Sequence, residues 1–177
     1  RDLILTNDCH QNASVNWVET EKRMKSIIPA AIVRSKRVVT QGFIGSTDDL
    51  MTTTLGREGS DFTASIIAYS LDAESVTIWK DVPGVLNADP KDFPDAKMLQ
   101  QISYLDAVEL AYFGTSVIHP KTIKPLQNKG IPLFVRSFID PEYSGTTINE
   151  NTAGNNIPNF IVKPNQVLVS IQPKDFS

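Results

Sequence analysis

The stretch "TTTLGREGSDFTAS", Thr52 to Ser65, sets two glycines, an arginine and two acids between apolar runs. Gly56 and Gly59 let a backbone come close to a bound group, and Arg57 offers a planar, permanently charged fork suited to a carboxylate or phosphate. Ser60 and Asp61 fall where the next apolar run turns helical, near unsatisfied N–H groups and a helix dipole that favours anions. The chemistry on offer is anion binding. The plain alternative is a helix capped by Ser60 or Asp61, with Arg57 paired to a surface acid. A Walker-type phosphate loop is excluded, because the spacing G-x-x-x-x-G-K-[ST] is absent.

The elements that must position this loop alternate in period. "NWVETEKRMKSIIPAAI" spaces Trp17, Met24, Ile27 and Ile28 as a helix that Pro29 is expected to end or kink. "RVVTQGFIGS" reads as a strand running into a loop, and Phe62, Ile66, Ile67 and Leu71 mark a largely buried helix over Asp61–Leu71. "SVTIWKDV" and "IPLFVRSF" read as strands, with Trp79 expected in the core. Ser103 and Asp106 form a capping pair before a helix that Gly114 should stop. "HPKTIKPLQNKG" reads as a helix entered at Pro120, with Pro125 set against a long regular one and His119 in a capping or buried structural role rather than a catalytic one. Strands alternating with helices imply an α/β class with a mostly parallel sheet and ligands at the carboxyl ends of its strands. "NENTAGNNIPN", Asn149 to Asn159, reads as a linker.

Composition narrows the partners. The chain has 177 residues, 41% of them hydrophobic and 21% charged, with a net charge of -3. That balance suits one globular domain and supplies no basic patch for nucleic acid or an anionic membrane. Cys9 stands alone, which excludes an internal disulfide, and it reads as an inert thiol. His10 and His119 are too far apart to suggest metal ligands. No signal peptide or apolar run of about 18 residues is present, so a cytoplasmic or organellar-stroma location is expected. The chain opens on Arg1 and closes after the alternating run "QVLVSIQP", and a longer parent is expected. The acids of "DPKDFPDAK" read as a solvated loop.

"VVTQGFIGS", "TTTLGREGSDFTAS", "WKDVPGVLNADP" and "FGTSVIHPKT" occur in the order and spacing of the aspartokinases, amino-acid kinases that phosphorylate the side-chain carboxylate of aspartate. The resemblance covers residues 1–148 and implies the carboxyl-terminal half of a three-layer αβα catalytic domain. It implies a linker over 149–164 and the first strand of an ACT regulatory domain over 165–177. The family's lysine-bearing opening, "KFGGTS", and the acid that meets the substrate amine belong to the other half. By the same resemblance Arg57 holds the substrate α-carboxylate, Ser60 joins it, and Asp61 orients cationic groups at the reacting centre. Lys80, Asp81, Leu86, Lys91, Ser116 and Val117 line the ATP pocket, although the bacterial pattern has threonine, tyrosine, arginine and lysine where this chain has Lys80, Leu86, Lys91 and Ser116.

The implied substrates are L-aspartate and ATP, with Mg²⁺, in a homo-oligomer whose parent takes lysine or threonine as effector. The nucleophile is already ionised at neutral pH, so positioning and charge neutralisation are the catalytic tasks. Without the other half the segment is expected to be inactive. Two further readings compete: a sister kinase acting on glutamate, acetylglutamate or a nucleotide, and a noncatalytic effector-binding module.

Overall fold

The structure is a computed structural model, and it describes residues 2–113, 117–151, 157–162, 165–167 and 169–170. In chain order its elements are α1 (Trp17–Ser35), β1 (Ile44–Ser46), β2 (Thr52–Thr54), α2 (Gly59–Leu71), β3 (Val76–Lys80), β4 (Gln101–Ser103), α3 (Tyr104–Phe113), α4 (Pro120–Lys129), β5 (Leu133–Ser137) and β6 (Thr146–Asn149).

Four strands form the main sheet in the order β3-β5-β6-β4. The β3/β5 and β4/β6 pairs are parallel and the central β5/β6 pair is antiparallel, so the sheet is mixed but mostly parallel. Along β3, Val76 and Ile78 point into the core while Thr77 and Trp79 point out, the alternation of a strand covered on one face. Helices α2, α3 and α4 supply that cover, packing Ala68, Ala107, Leu110, Ile123 and Leu126 against Val76, Ile78, Leu133, Val135 and Ile148. Two layers of a three-layer α/β arrangement are therefore seen among the described residues. Trp79, expected in the core, is 47% exposed. It lies on the outward face of an edge strand, opposite Arg136, whose guanidinium carbon sits 5.4 Å from the ring centroid.

A second core of Ile4, Met24, Leu55, Phe62 and Ile66 joins α1 to α2. Asn16 caps α1 by accepting from the Glu19 amide, and the helix runs through Pro29 to Ser35. The helix does not end at Pro29, and the carbonyl that proline leaves without a donor belongs to the exposed Lys25, where water can satisfy it. The strand expected over "RVVTQGFIGS" shrinks to Ile44–Ser46, paired with β2, and residues 37–41 are exposed outside it.

Ser103 caps α3 as expected, accepting from the Asp106 amide at 3.0 Å and donating to its carboxylate at 2.7 Å. His119 Nδ1 caps α4 by accepting from the Lys121 amide, and α4 passes through Pro125 to a left-handed Gly130. The stop expected at Gly114 lies outside the described residues. Of the ACT strand expected over 165–177, the described residues 165–167, 169 and 170 carry no ladder pairing, and the others lie outside the described residues. No described helix is long and apolar enough to cross a membrane.

Candidate active site

The loop before α2 is held by close backbone packing. Gly56 has φ +77°, and a Cβ there would meet Asn12 Oδ1 at 2.5 Å. Glu58 takes the N-cap position in the left-handed region, and its side chain makes no capping hydrogen bond. Ser60 and Asp61 thus occupy the second and third helical positions rather than the cap, which removes the simple capping alternative. The segment before β1 closes over the same turn. Phe43 donates its amide to Thr63 Oγ1 at 2.9 Å, Thr63 Oγ1 donates to the Gly59 carbonyl at 2.8 Å, and a Cβ on Gly42 would lie 3.0 Å from Ser60 Cα.

Asp61 and Lys80, nineteen residues apart, are brought into contact. Lys80 Nζ donates to Asp61 Oδ2 at 2.6 Å, with the side chains 24% and 14% exposed respectively. The ammonium from the carboxyl end of β3 therefore sits against the first turn of α2. Two charges in a site this shielded from water are worth more than a surface pair.

Arg57 is exposed and borders a cavity of about 440 Å³. The cavity is shared by Glu58, by Ala111 and Tyr112 near the end of α3, and by His119, Lys121 and Lys124 at the start of α4. Three motifs distant in sequence meet there. Asp81, also exposed, lines a separate hollow of about 280 Å³ with Pro83, Ser137, Ile139, Asp140 and Tyr143. Arg57 and Asp81 thus face different spaces, and the Asp61–Lys80 pair lines neither of them.

The remaining candidates divide between the long β3–β4 connection, with Leu86 and Lys91, and the segment between α3 and α4, with Ser116 and Val117. Leu86 is half-buried and bridged to Met98, while Lys91 is exposed in a turn where its amide bonds Asp89 Oδ1 at 2.9 Å. Val117 packs against the main core. Ser116 lies outside the described residues. Cys9 is exposed, and among the described residues no group of three His, Cys, Asp or Glu side chains could hold a metal ion. Ser137, Asp140 and Tyr143 were not singled out from sequence. The signal for them was present, since they follow the carboxyl end of β5 and ligands gather at such ends.

A mostly parallel sheet covered by helices, with charged side chains gathered at the carboxyl end of β3 and the amino end of α2, has the architecture of an α/β domain that binds a small ligand at its strand ends. The chain belongs to the amino acid kinase family, whose profile matches residues 9–137. Within that family it is similar to the aspartokinases. It is 44% identical over 137 residues to the lysine-sensitive aspartokinase 3 of Escherichia coli, covering 76% of this chain and 30% of that protein. It is 38% identical over 160 residues to the chloroplastic bifunctional aspartokinase/homoserine dehydrogenase 1 of Zea mays, covering 88% of this chain and 17% of that protein. The crystal structure of E. coli aspartokinase III in complex with aspartate and ADP (R-state) superposes with a TM-score of 0.82 at 39% identity, covering 86% of this chain and 34% of that one. The chain thus spans less than a third of the length of either curated relative.

Proposed function

We propose that this chain carries the substrate loop and nucleotide loop of an aspartate kinase, which transfers the γ-phosphoryl group of ATP to the side-chain carboxylate of L-aspartate. The observation behind the proposal is the Asp61–Lys80 contact, which joins the "GREGSD" loop to the "WKDVPG" strand through one ion pair. A kinase of this type must bring two anions together, and it needs a fixed positive charge between them. Asp61 holds the Lys80 ammonium in place without taking a proton. Arg57 clamps the α-carboxylate of aspartate through paired hydrogen bonds, and Ser60 assists from the same turn. The side-chain carboxylate is ionised at neutral pH and needs no base. Its oxygen attacks the γ-phosphorus in line as the bond to ADP breaks, and ADP departs with the bridging oxygen.

The hollow beside Asp81 suits adenosine. Pro83, Ile139 and Tyr143 give apolar faces, and the carboxylates of Asp81 and Asp140 accept from ring or ribose donors. Leu86, Lys91, Ser116 and Val117 are assigned to the same nucleotide. Mg²⁺ would arrive on the phosphates of ATP, supplying charge neutralisation there. The described residues include no group of three His, Cys, Asp or Glu side chains that would hold it by themselves.

The proposed kinase is a longer, homo-oligomeric protein of the cytoplasm or an organelle. Its product feeds lysine, threonine and methionine synthesis, and lysine or threonine acts on an ACT region that begins near residue 165. Support comes from the relatives' greater length and from the lysine sensitivity in the name of one of them. The 177 residues alone are proposed to be inactive.

Steady-state kinetics of Arg57→Ala in the full-length protein test the proposal. Losing the clamp should lower kcat/KM for aspartate by about 1.5–3 kcal/mol of transition-state energy. An unchanged kcat/KM would overturn the assignment.

A further inference from the structure

The β3–β4 connection is a hairpin held from two sides. Its stem pairs Val85 with Leu99 and Asn87 with Lys97 through backbone bonds of 2.9 Å. At the sheet side the buried Thr146 hydroxyl donates to the Leu99 carbonyl at 2.6 Å and accepts from the Val85 amide at 2.8 Å. At the other side the chain beyond β6 crosses the hairpin. The Asn87 carbonyl accepts from the Phe160 amide at 2.8 Å, and Asn87 Nδ2 donates to the Pro158 carbonyl at 2.9 Å. Asn87 is 6% exposed, and its Oδ1 also accepts from the Lys97 amide at 2.7 Å. Beyond that point Phe160 stacks on Phe93 at 5.5 Å, which fixes the hairpin tip. Ile157, at the start of the crossing, packs against the main core.

We infer that residues 157–160 are a clamp that positions the hairpin carrying Leu86 and Lys91, so that the seating of this crossing segment sets the affinity for the nucleotide. The crossing segment acts on the hairpin by leverage. Thr146 fixes the stem to β6, but the tip projects past the sheet and turns on itself through Asp89, so its direction depends on what covers it. A buried asparagine whose amide and carbonyl oxygen both serve the crossing segment leaves that segment one seat. The Phe93–Phe160 stack extends the contact to within two residues of Lys91. Residues read from sequence as linker thereby act as positioning residues. The inference rests on the nucleotide assignment proposed above.

Two measurements on the full-length protein separate the clamp from that assignment. In Phe160→Ala, amide exchange over residues 85–99 should quicken, and KM for ATP should rise about three- to tenfold, the scale of one aromatic pair. KM for aspartate should stay unchanged. Phe160→Tyr, which keeps the ring, should restore both readouts. Phe160 is itself half exposed, so its truncation leaves the core intact. Unchanged exchange over 85–99 would overturn the clamp. Faster exchange with an unaltered KM for ATP would overturn its link to nucleotide affinity. If the wild-type protein turns over no ATP, the proposed function falls, while the exchange arm still reads the clamp.

Discussion

Replacing Lys80 by methionine separates stability from catalysis at the Asp61–Lys80 pair. Exposed ion pairs contribute about 0–1 kcal/mol, and breaking a fully buried one costs about 3–5 kcal/mol. With 24% and 14% of the two side chains exposed, this pair falls between those limits. The carboxylate left behind keeps the amino end of α2 beside it, and a helix dipole offsets about 0.3–1 kcal/mol. The net loss of stability should be about 1–2 kcal/mol, which lowers the melting midpoint of a domain of this size by roughly 2–8 °C. The catalytic loss should be far larger. A fixed charge aimed at transferring phosphoryl oxygens contributes about 10²–10³ in kcat.

The assay is ADP release under saturating substrates, run beside thermal unfolding, for Lys80→Met, Asp61→Asn and the double variant. Asp61 acts by holding Lys80, so the double variant should lose little more kcat than Lys80→Met alone. A kcat within about twofold of wild type, together with the expected loss in melting temperature, would refute the reasoning. The pair would then be a strut between α2 and β3 and nothing more.

Other outcomes follow from the local geometry. Gly56→Ala should destabilise by about 1–3 kcal/mol through strain at φ +77°, and Asn12→Ala in the same chain should return the part due to the clash with Asn12 Oδ1. A double variant no more stable than Gly56→Ala would assign the whole cost to the backbone. Ser103→Ala should cost about 0.5–2 kcal/mol, read as a lower urea midpoint at constant slope, because α3 loses its cap. Hydrogen bonding to Lys25 and Lys129 respectively holds the carboxyls of Glu21 and Asp72 below their ordinary values of 4.5 and 3.8. Their stabilising contribution is therefore present above those values and is lost as pH falls through the lower folded ones. Glu21→Gln/Asp72→Asn should flatten the acid side of the stability profile, and salt should do the same. Burial, then the charge of Glu150, raises the Tyr104 phenol above 10.0, so stability should fall as pH rises past that value. Tyr104→Phe should remove that alkaline loss while forfeiting the bond to the Ile131 carbonyl, worth about 1 kcal/mol.

What could be read in the sequence was what local chemistry decides. Ser103 with Asp106 and His119 before Pro120 mark helix starts through bonds made within a turn, and each appears in its place. β3 and β5 were legible because five residues suffice to show a period of two. β1, β2 and β4 have three residues each, too few for any period, and tertiary pairing alone defines them. Trp79, expected in the core from the apolar alternation of its strand, has the outward parity of that same alternation. Val76 and Ile78 take the inward face, so residue 79, one position further on, falls on the outward one.

The candidate site divides in the same way. Arg57, Ser60 and Asp61 stand out because their spacing is local, whereas the Asp61–Lys80 contact depends on a length match that no window displays. The thirteen residues of α2 climb about 20 Å and the five of β3 return about 17 Å. Residues 72–75, entered through a left-handed Asp72, take up the difference. The chain leaves the "GREGSD" loop along the helix and comes back along the strand to the same level, with its ammonium at the last strand position and its carboxylate in the first helical turn. One residue more or fewer in β3 would keep the strand yet swing residue 80 to the opposite face of the sheet, separating the pair. The functional constraint on this segment is therefore its length and parity as much as the identity of either charge.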